Sequence, residues 1–554
     1  MKKFLSLLVL SLMTVSVLGG PRSVEDMMNA ARKVIKLRPS MHSAGASQKL
    51  EVLQKGQMLN VIGYKNGGFA VIATDDNFAP VLGYSDTQFT TDNMPPAMQW
   101  WMNMTENALQ TALENGEEVK SAAELRSAEY PEAVAELLTT RWDQMTPYNK
   151  ELVRITGKSY PTGCMATAMA QIMKYHSYPV TGQGYKGYAI DGKNGNYDFE
   201  STTYQYDNML DVYSGNNYTT EQADAVAKLM LHCGVAVDMN YGLNGSGSYS
   251  NDASVALNKY FKYNTRLYTR DIYTKAEWMN MIFEEISNGR PILYGGVTAQ
   301  NAGHAFVFDG YDADGLVHVN WGWSGSGNGY FEVALLDSDT GSYSYSQDMI
   351  LMHTSDAPEL PYISQWGIMP SITWITSGGQ TYETVGKFEV KNVGTMLLCV
   401  CSNLMNCDVN SFSGNLALMA EPVNGGNVVT LRSEKLSNFA YRSVYPQNAR
   451  DYSVSVSTSG LADGTYKIYL ATKATTESEW QPVHFNEDIN GAYMLTISDG
   501  NATVTTGINN VVTEETGKAS DNRIYSIDGR YVGTDVDKLD RGMYIKNGVK
   551  FIKK

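Results

Sequence analysis

Tyr160-Pro161-Thr162-Gly163-Cys164-Met165-Ala166-Thr167-Ala168-Met169-Ala170-Gln171-Ile172-Met173-Lys174-Tyr175-His176 is the stretch on which the reading of this chain turns. Met165, Met169, Ile172, Met173 and His176 recur at helical spacing, which predicts a helix with that stripe buried and His176 as a core histidine. Thr162 is placed to cap the helix and Gly163 permits a tight entry, so Cys164 falls in the first turn. Unpaired backbone N–H groups and the helix dipole favour negative charge there, so the position is expected to lower the thiol pKa. A thiolate so placed, with a histidine nearby, is a nucleophile at neutral pH. A lone cysteine also reads as a small buried hydrophobe, so the partners decide.

Downstream, Gly303-His304-Ala305-Phe306-Val307-Phe308-Asp309-Gly310-Tyr311 places His304 at the start of a strand, on a rigid support at a cleft edge. Gly303 leaves backbone exposed for a substrate to approach. His318-Val319-Asn320-Trp321-Gly322-Trp323 forms a second strand, in which Asn320 is able to accept the second ring N–H of His304 and Trp321 to shield that bond. His318 alternates with Asn320, faces the same side and is a competing base. Upstream, Gln144 in Trp142-Asp143-Gln144-Met145-Thr146-Pro147-Tyr148-Asn149 is able to join the Cys164 N–H in holding an oxyanion. No HExxH, paired CxxC or EF-hand spacing occurs, so neither a metal site nor a cofactor is indicated, and Asp312-Ala313-Asp314-Gly315 reads as a hairpin turn.

The chain has 554 residues, enough for three to four domains at roughly 150 residues each. With 43% hydrophobic and 18% charged residues it forms packed cores, and its 50 glycines and 36 tyrosines suggest many turns and strand faces. A formal charge of -15 repels phosphate backbones and anionic lipid heads, so nucleic acid is excluded as a partner. Lys2 and Lys3, the apolar run Phe4 to Leu18 and the small residues Gly19 and Gly20 read as a cleaved secretory leader over 1–20, and no later run spans a bilayer. The odd count of five cysteines leaves at least one thiol unpaired; Cys233 reads as a core thiol, and Cys399 and Cys401 point to one strand face.

The fold expected is α+β. Residues 21–126 hold an amphipathic stretch Val24 to Leu37, strands Leu59–Tyr64, Phe69–Thr74 and Val81–Tyr84, and a helix from Trp100 to about Asn115. The polar segment Lys120 to Glu129 is expected to be an open linker, cut near Arg126 or at Lys120. Residues 127–357 carry the chemistry, 358–505 read as a β-sandwich with strands Thr384–Val390, Thr465–Thr472 and Tyr493–Ile497, and 506–554 form a small β pattern.

Taken together, Gln144 with Pro147-Tyr148-Asn149, Thr162-Gly163-Cys164, Ala166-Thr167-Ala168, Gln171 to His176, Val237-Asp238-Met239, Tyr241-Gly242, Gly303 to Val307 and His318 to Trp323 resemble the streptopain-like secreted cysteine peptidases. The resemblance implies a two-lobed papain-like domain with Cys164 as nucleophile, His304 as general base and acid and Gln144 in the oxyanion hole. It implies Asn320, Trp321 and Trp323 around the histidine, and Ser248 in the loop Asn244-Gly245-Ser246-Gly247-Ser248 as a substrate contact beside Gly303. Gly68 to Ile72 and Pro80 to Ser85 look like the inhibitory propeptides of the same peptidases, which implies a zymogen held by its own propeptide. The tail resembles type IX sorting domains, implying export to the exterior or cell surface of a Gram-negative bacterium.

The expectation is a secreted cysteine endopeptidase made as a proenzyme and acting on proteins or peptides. Amidase or acyl-transfer chemistry on the same framework is one alternative, and a surface adhesin with a vestigial peptidase domain is another.

Overall fold

The computed structural model describes residues 19–35, 49–336 apart from 93, 118, 216 and 298–302, and 345–506 apart from 361, 376–378, 394–395 and 448–450. It also describes the backbone of four short strands between 524 and 553. The expected leader, up to residue 18, lies outside the described residues, and among those described no helix is long and apolar enough to cross a membrane.

At the front, Ser23 accepts a hydrogen bond from the Asp26 N–H and starts α1 (Val24–Val34). Met27, Ala30 and Ala31 on its inner face pack on Ile62, Ala70 and Ile72. Those residues lie in a meander of β1 (Glu51–Lys55), β2 (Leu59–Gly63), β3 (Phe69–Ala73) and β4 (Val81–Ser85). Helix α2 (Pro96–Asn115) starts on a proline and stops at Gly116, whose φ of 66° reverses the chain. A single turn, α3 (Ala122–Leu125), follows.

The central part contains α4 (Lys150–Thr156), α5 (Cys164–His176), β5 (Tyr185–Ile190), β6 (Lys193–Asp198), α6 (Thr220–Ala236) and α7 (Ser250–Phe261). It continues with β7 (Asn264–Thr269), α8 (Lys275–Ser287), β8 (Ile292–Val297), β9 (Gly303–Tyr311), β10 (Val317–Asn320), β11 (Gly329–Phe331) and β12 (Tyr345–His353). Front and centre share one antiparallel sheet of ten strands, in the order β1-β2-β3-β4-β11-β10-β9-β8-β12-β7. The junction is β4 against β11, with Tyr330 opposite Tyr84 and Phe331 opposite Gly83. Alternation along β9 sends Ala305 and Val307 into the core built on α5 and α6. Phe306 and Phe308 enter the opposite core with Trp100 and Trp101 of α2 and Trp278 and Phe283 of α8.

The described residues from 362 to 506 form a β-sandwich around a core that includes Phe388, Cys399, Cys401, Leu416, Leu418, Ile468 and Leu495. A six-stranded antiparallel sheet faces two three-stranded ones. The run expected as one strand, Thr384–Val390, is two strands, Thr381–Val385 and Lys387–Val393. Gly386 breaks it because its backbone passes so close to the Met369 carbonyl that a Cβ would stand 2.1 Å away. All five cysteines are free thiols; Cys233, Cys399, Cys401 and Cys407 are buried.

The sandwich docks on the central part along β7 and the segment before α8. Arg266 and Asp408 form a buried ion pair at 3.2 Å, the Gln365 amide donates to the Leu267 carbonyl at 3.0 Å, and the Tyr273 and His484 rings lie 4.6 Å apart.

The segment Lys120 to Glu129, expected to be an open linker, is instead largely fastened. Ser121 and Glu124 form a reciprocal capping box, Ala122 is fully buried, and the Arg126 guanidinium lies 5.8 Å from the centroids of both the Phe283 and Tyr311 rings. Polar composition suggested solvent, but these polar groups are satisfied by backbone and by one another.

Candidate active site

Helix α5 enters from Gly163, which admits no side chain: its φ is 92°, and a Cβ there would stand 2.6 Å from the Met239 side chain. The Cys164 sulfur accepts the Ala305 N–H at 3.4 Å, so the cysteine lies beside the residue that follows His304 although the two are 141 positions apart. Burial raises the Cys164 pKa, and the N–H groups of Ala305, Met165 and Cys164 itself only partly offset it. The lowered pKa expected from the first-turn position is therefore overturned in this state, because enclosure of the sulfur outweighs the helix end.

His304 shares the alternation of Phe306 and Phe308 and so starts on the α2 face of the sheet, whereas Cys164 meets the other face through Ala305. Its imidazole makes no hydrogen bond among the described residues, and burial lowers its pKa. Gly296, opposite His304 on β8, lies under the Trp100 indole: a Cβ there would be 2.7 Å from the ring. The front module thus packs against the strand pair that carries the histidine. The sulfur and the imidazole share one strand edge without an ion pair between them.

Gln144 is half-buried; its carbonyl accepts the Thr162 N–H at 3.0 Å, which sets it next to the entry of α5, and its side-chain amide has no hydrogen-bond partner among the described residues. The loop holding Ser248 is tied to the same entry, since the Ser246 hydroxyl donates to the Pro161 carbonyl at 2.7 Å. Ser248 is half-buried with its hydroxyl unpartnered among the described residues, and Gly303 is exposed with open space where a Cβ would be.

Asn320 is placed differently from the expectation. Its amide donates to the Thr140 carbonyl at 2.8 Å and to Gln171 Oε1 at 3.2 Å, and its carbonyl oxygen accepts the Gly322 N–H at 3.1 Å, with no bond to His304. The reason is Gln171, a fully buried polar residue of α5 whose Oε1 also accepts the Thr140 hydroxyl at 3.0 Å. Sequence reasoning passed over Gln171; its signal was a lone amide between Ala170 and Ile172 on a helix buried along most of its length.

Trp321 is buried with its ring 5.0 Å from Phe306 and its indole N–H donated to the Gly327 carbonyl at 3.0 Å. Trp323 is half-buried in the loop where Ser324 N–H donates to the Trp142 carbonyl at 3.0 Å. His318 is paired with Asp309 at 2.6 Å; burial opposes its charge, but the Asp309 carboxylate outweighs this and raises the pKa. His176 is a largely buried residue of the core beside Tyr263, with its pKa pushed down to about 4 by burial.

A cysteine at a helix start, a histidine on the neighbouring strand and a front module laid across that strand define a papain-like cysteine peptidase in a latent form. The chain belongs to the peptidase C10 family, whose family model matches residues 142–331, and residues 22–109 match the Spi protease inhibitor family. It is 31% identical to streptopain of Streptococcus pyogenes over 305 residues, covering 51% of this chain and 75% of streptopain. It is 29% identical over 370 residues to the thiol protease/hemagglutinin PrtT of Porphyromonas gingivalis, covering 61% of this chain and 42% of PrtT's length. Among solved structures, a prointerpain A fragment of Prevotella intermedia is 40% identical with a TM-score of 0.50, over 55% of this chain and 98% of the fragment.

Proposed function

We propose that the protein is an exported cysteine endopeptidase, made as a zymogen, in which Cys164 attacks the carbonyl of a peptide bond in a protein substrate. The observation that carries this reading is the Cys164 sulfur seated at the Ala305 N–H, one residue from His304. Loss of the front module uncovers Gly296 and leaves His304 room to turn over the strand edge towards the sulfur. The imidazole then takes the thiol proton, and the ion pair replaces the neutral thiol. Gln144, with its free amide beside the α5 entry, and the Cys164 N–H hold the oxyanion. His304 returns the proton to the leaving amine and activates the water that releases the acyl group. Gly303 and Ser248 line the substrate side, Trp321 supports the strand under His304, and Trp323 lies in the adjoining loop. Asn320, through Gln171 and Gly322, holds the turn into Trp321 and acts as a positioning residue.

Export is part of the same reading: the leader pattern over 1–20 and the tail over 506–554 support passage to the exterior or surface of a Gram-negative cell, with sorting of type IX kind. The test is labelling of the processed protein with a thiol-reactive peptidyl inhibitor, followed by mass spectrometry. An adduct on Cys164 and loss of casein hydrolysis in Cys164→Ala are expected; casein hydrolysis retained in Cys164→Ala overturns the assignment.

A further inference from the structure

The segment after α2 changes character at Ser121, although Val119 just ahead of it packs half-buried against the core that holds Trp100 and Trp278. Before it, Glu114, Asn115, Gly116, Glu117 and Lys120 are exposed, and the Glu117 N–H returns to the Ala112 carbonyl of its own helix at 2.9 Å. From Ser121 onward the chain is bonded to the central part. The Ala122 N–H reaches the buried Glu332 carboxylate at 3.3 Å, and Asn280 of α8 donates to the Leu125 carbonyl at 3.1 Å and accepts the Ser127 N–H at 2.9 Å.

Arg126 donates to the carbonyls of Glu132 at 2.7 Å and of Asp312 and Ala313, each at 3.4 Å, while its face covers Phe283 and Tyr311. The Tyr311 hydroxyl donates to the Pro131 carbonyl at 3.0 Å, and Val134 and Tyr311 exchange backbone bonds of 2.8 and 2.9 Å. Opening a bond inside this run breaks a guanidinium network, a cap and a buried residue together, whereas opening one ahead of it disturbs little.

We infer that Ser121–Pro131 is an N-terminal clamp of the peptidase rather than a spacer, and that the cut releasing the front module falls ahead of Ser121. The inference rests on the zymogen reading for the cut but not for the clamp. Such a cut adds one water across one peptide bond, the hydroxyl to the carbonyl carbon and the hydrogen to the departing nitrogen, and needs no other reactant. Arg126 ties the turn at the far end of β9 to α8, so the clamp braces the strand that carries His304.

Trypsin compares the two sides within one molecule, since Lys120 and Arg126 are both substrates for it. In the folded full-length Cys164→Ala precursor, cleavage after Lys120 is expected at least tenfold faster than after Arg126, and the two rates are expected to converge in the denatured chain. Arg126→Lys keeps a tryptic site but loses the forked donors, and is expected to raise cleavage at position 126 several-fold without changing that at Lys120. Comparable cleavage after Lys120 and Arg126 in the folded precursor overturns the clamp. In wild-type protein left to process itself under reducing conditions, a new N-terminus at or before Ser121 is expected, and one at Ala122 or later overturns the inferred cut. A wild type that stays intact while trypsin spares Arg126 supports the clamp and counts against self-processing.

Discussion

The indole of Trp100 rests on the backbone of Gly296, the residue paired in register with His304 on the neighbouring strand. Both the inhibitory and the catalytic side of the molecule therefore meet at one strand pair. Glycine is required at 296 because any side chain would collide with the ring, and the ring in turn is only 5% exposed.

Trp100→Ala should loosen this contact. Removing a buried tryptophan costs about 3–5 kcal/mol, and if about 3 kcal/mol of that comes from the contact with β8 and β9, the docked state is weakened on the order of 100-fold. The expected outcome is a much shorter lag before peptide hydrolysis when the purified full-length protein is placed in reducing buffer. An unchanged lag, with the precursor still folded by circular dichroism, would show that Trp100 does not hold the latent state.

His304 and Asn320 are separated by a different measurement. His304→Ala removes the proposed proton carrier, one residue from the Ala305 N–H that holds the sulfur, and should lower kcat more than about 1000-fold. Asn320→Ala breaks a buried network through Thr140, Gln171 and Gly322, so it should lower the thermal midpoint by several degrees and kcat by less than tenfold. Equal losses of kcat in the two variants would place Asn320 on the imidazole in the active form.

Gln144→Ala tests the oxyanion assignment. Its amide is uncommitted here, so stability should hardly change, while kcat falls about 10²–10³-fold with KM nearly constant. Parallel assays on an amide and an ester of the same peptide give the check; a rise in KM alone would mark Gln144 as a substrate contact.

What the sequence disclosed follows the range of the interactions. Helix α5 was legible because its apolar spacing is local, and β9 and β10 because they alternate. The β4–β11 junction was not, since Tyr84 and Tyr330 pair across a long sequence separation and each strand looks complete by itself. The same distance hid the thiol's state: the first-turn rule is local, but the burial that overrides it is supplied by remote chain. The linker misled for the opposite reason, as Ser121, Glu124 and Arg126 look solvated until their backbone partners are seen.

The cross-domain pair Arg266–Asp408 should bind the sandwich firmly to the peptidase part. Asp408 also accepts the Asn410 N–H at 2.8 Å, and burial raises its pKa in spite of Arg266. Asp408→Ala removes the buried carboxylate that faces the Arg266 guanidinium and should cost about 3–5 kcal/mol of stability. Differential scanning calorimetry of the full chain is expected to show the loss. A variant with an unchanged transition would mean that the seam is held by its other contacts, such as Gln365 with Leu267 and Tyr273 with His484.

Glu332 gives a pH dependence with a defined sign. It sits at the meeting of three parts: its N–H donates to the Leu82 carbonyl at 2.7 Å, its carbonyl accepts the Trp101 indole at 2.7 Å, and its carboxylate takes the Ala122 N–H at 3.3 Å. Burial pushes its pKa up to about 7 from an ordinary 4.5, with the Ala334 and Ala122 N–H groups working the other way. The folded form therefore keeps a proton that the unfolded chain releases above pH 4.5. The associated stability is complete below that value and is lost as pH rises through about 7, a change of about 3 kcal/mol at 1.36 kcal/mol per unit. The Cys164→Ala precursor should accordingly melt at a lower temperature at pH 8 than at pH 5, and Glu332→Gln in that background should flatten the slope. Because Asp348 is raised to about 7 by burial as well, the slope should be reduced rather than abolished; an identical slope in Glu332→Gln would show that the Glu332 carboxyl is already ionised in the folded protein.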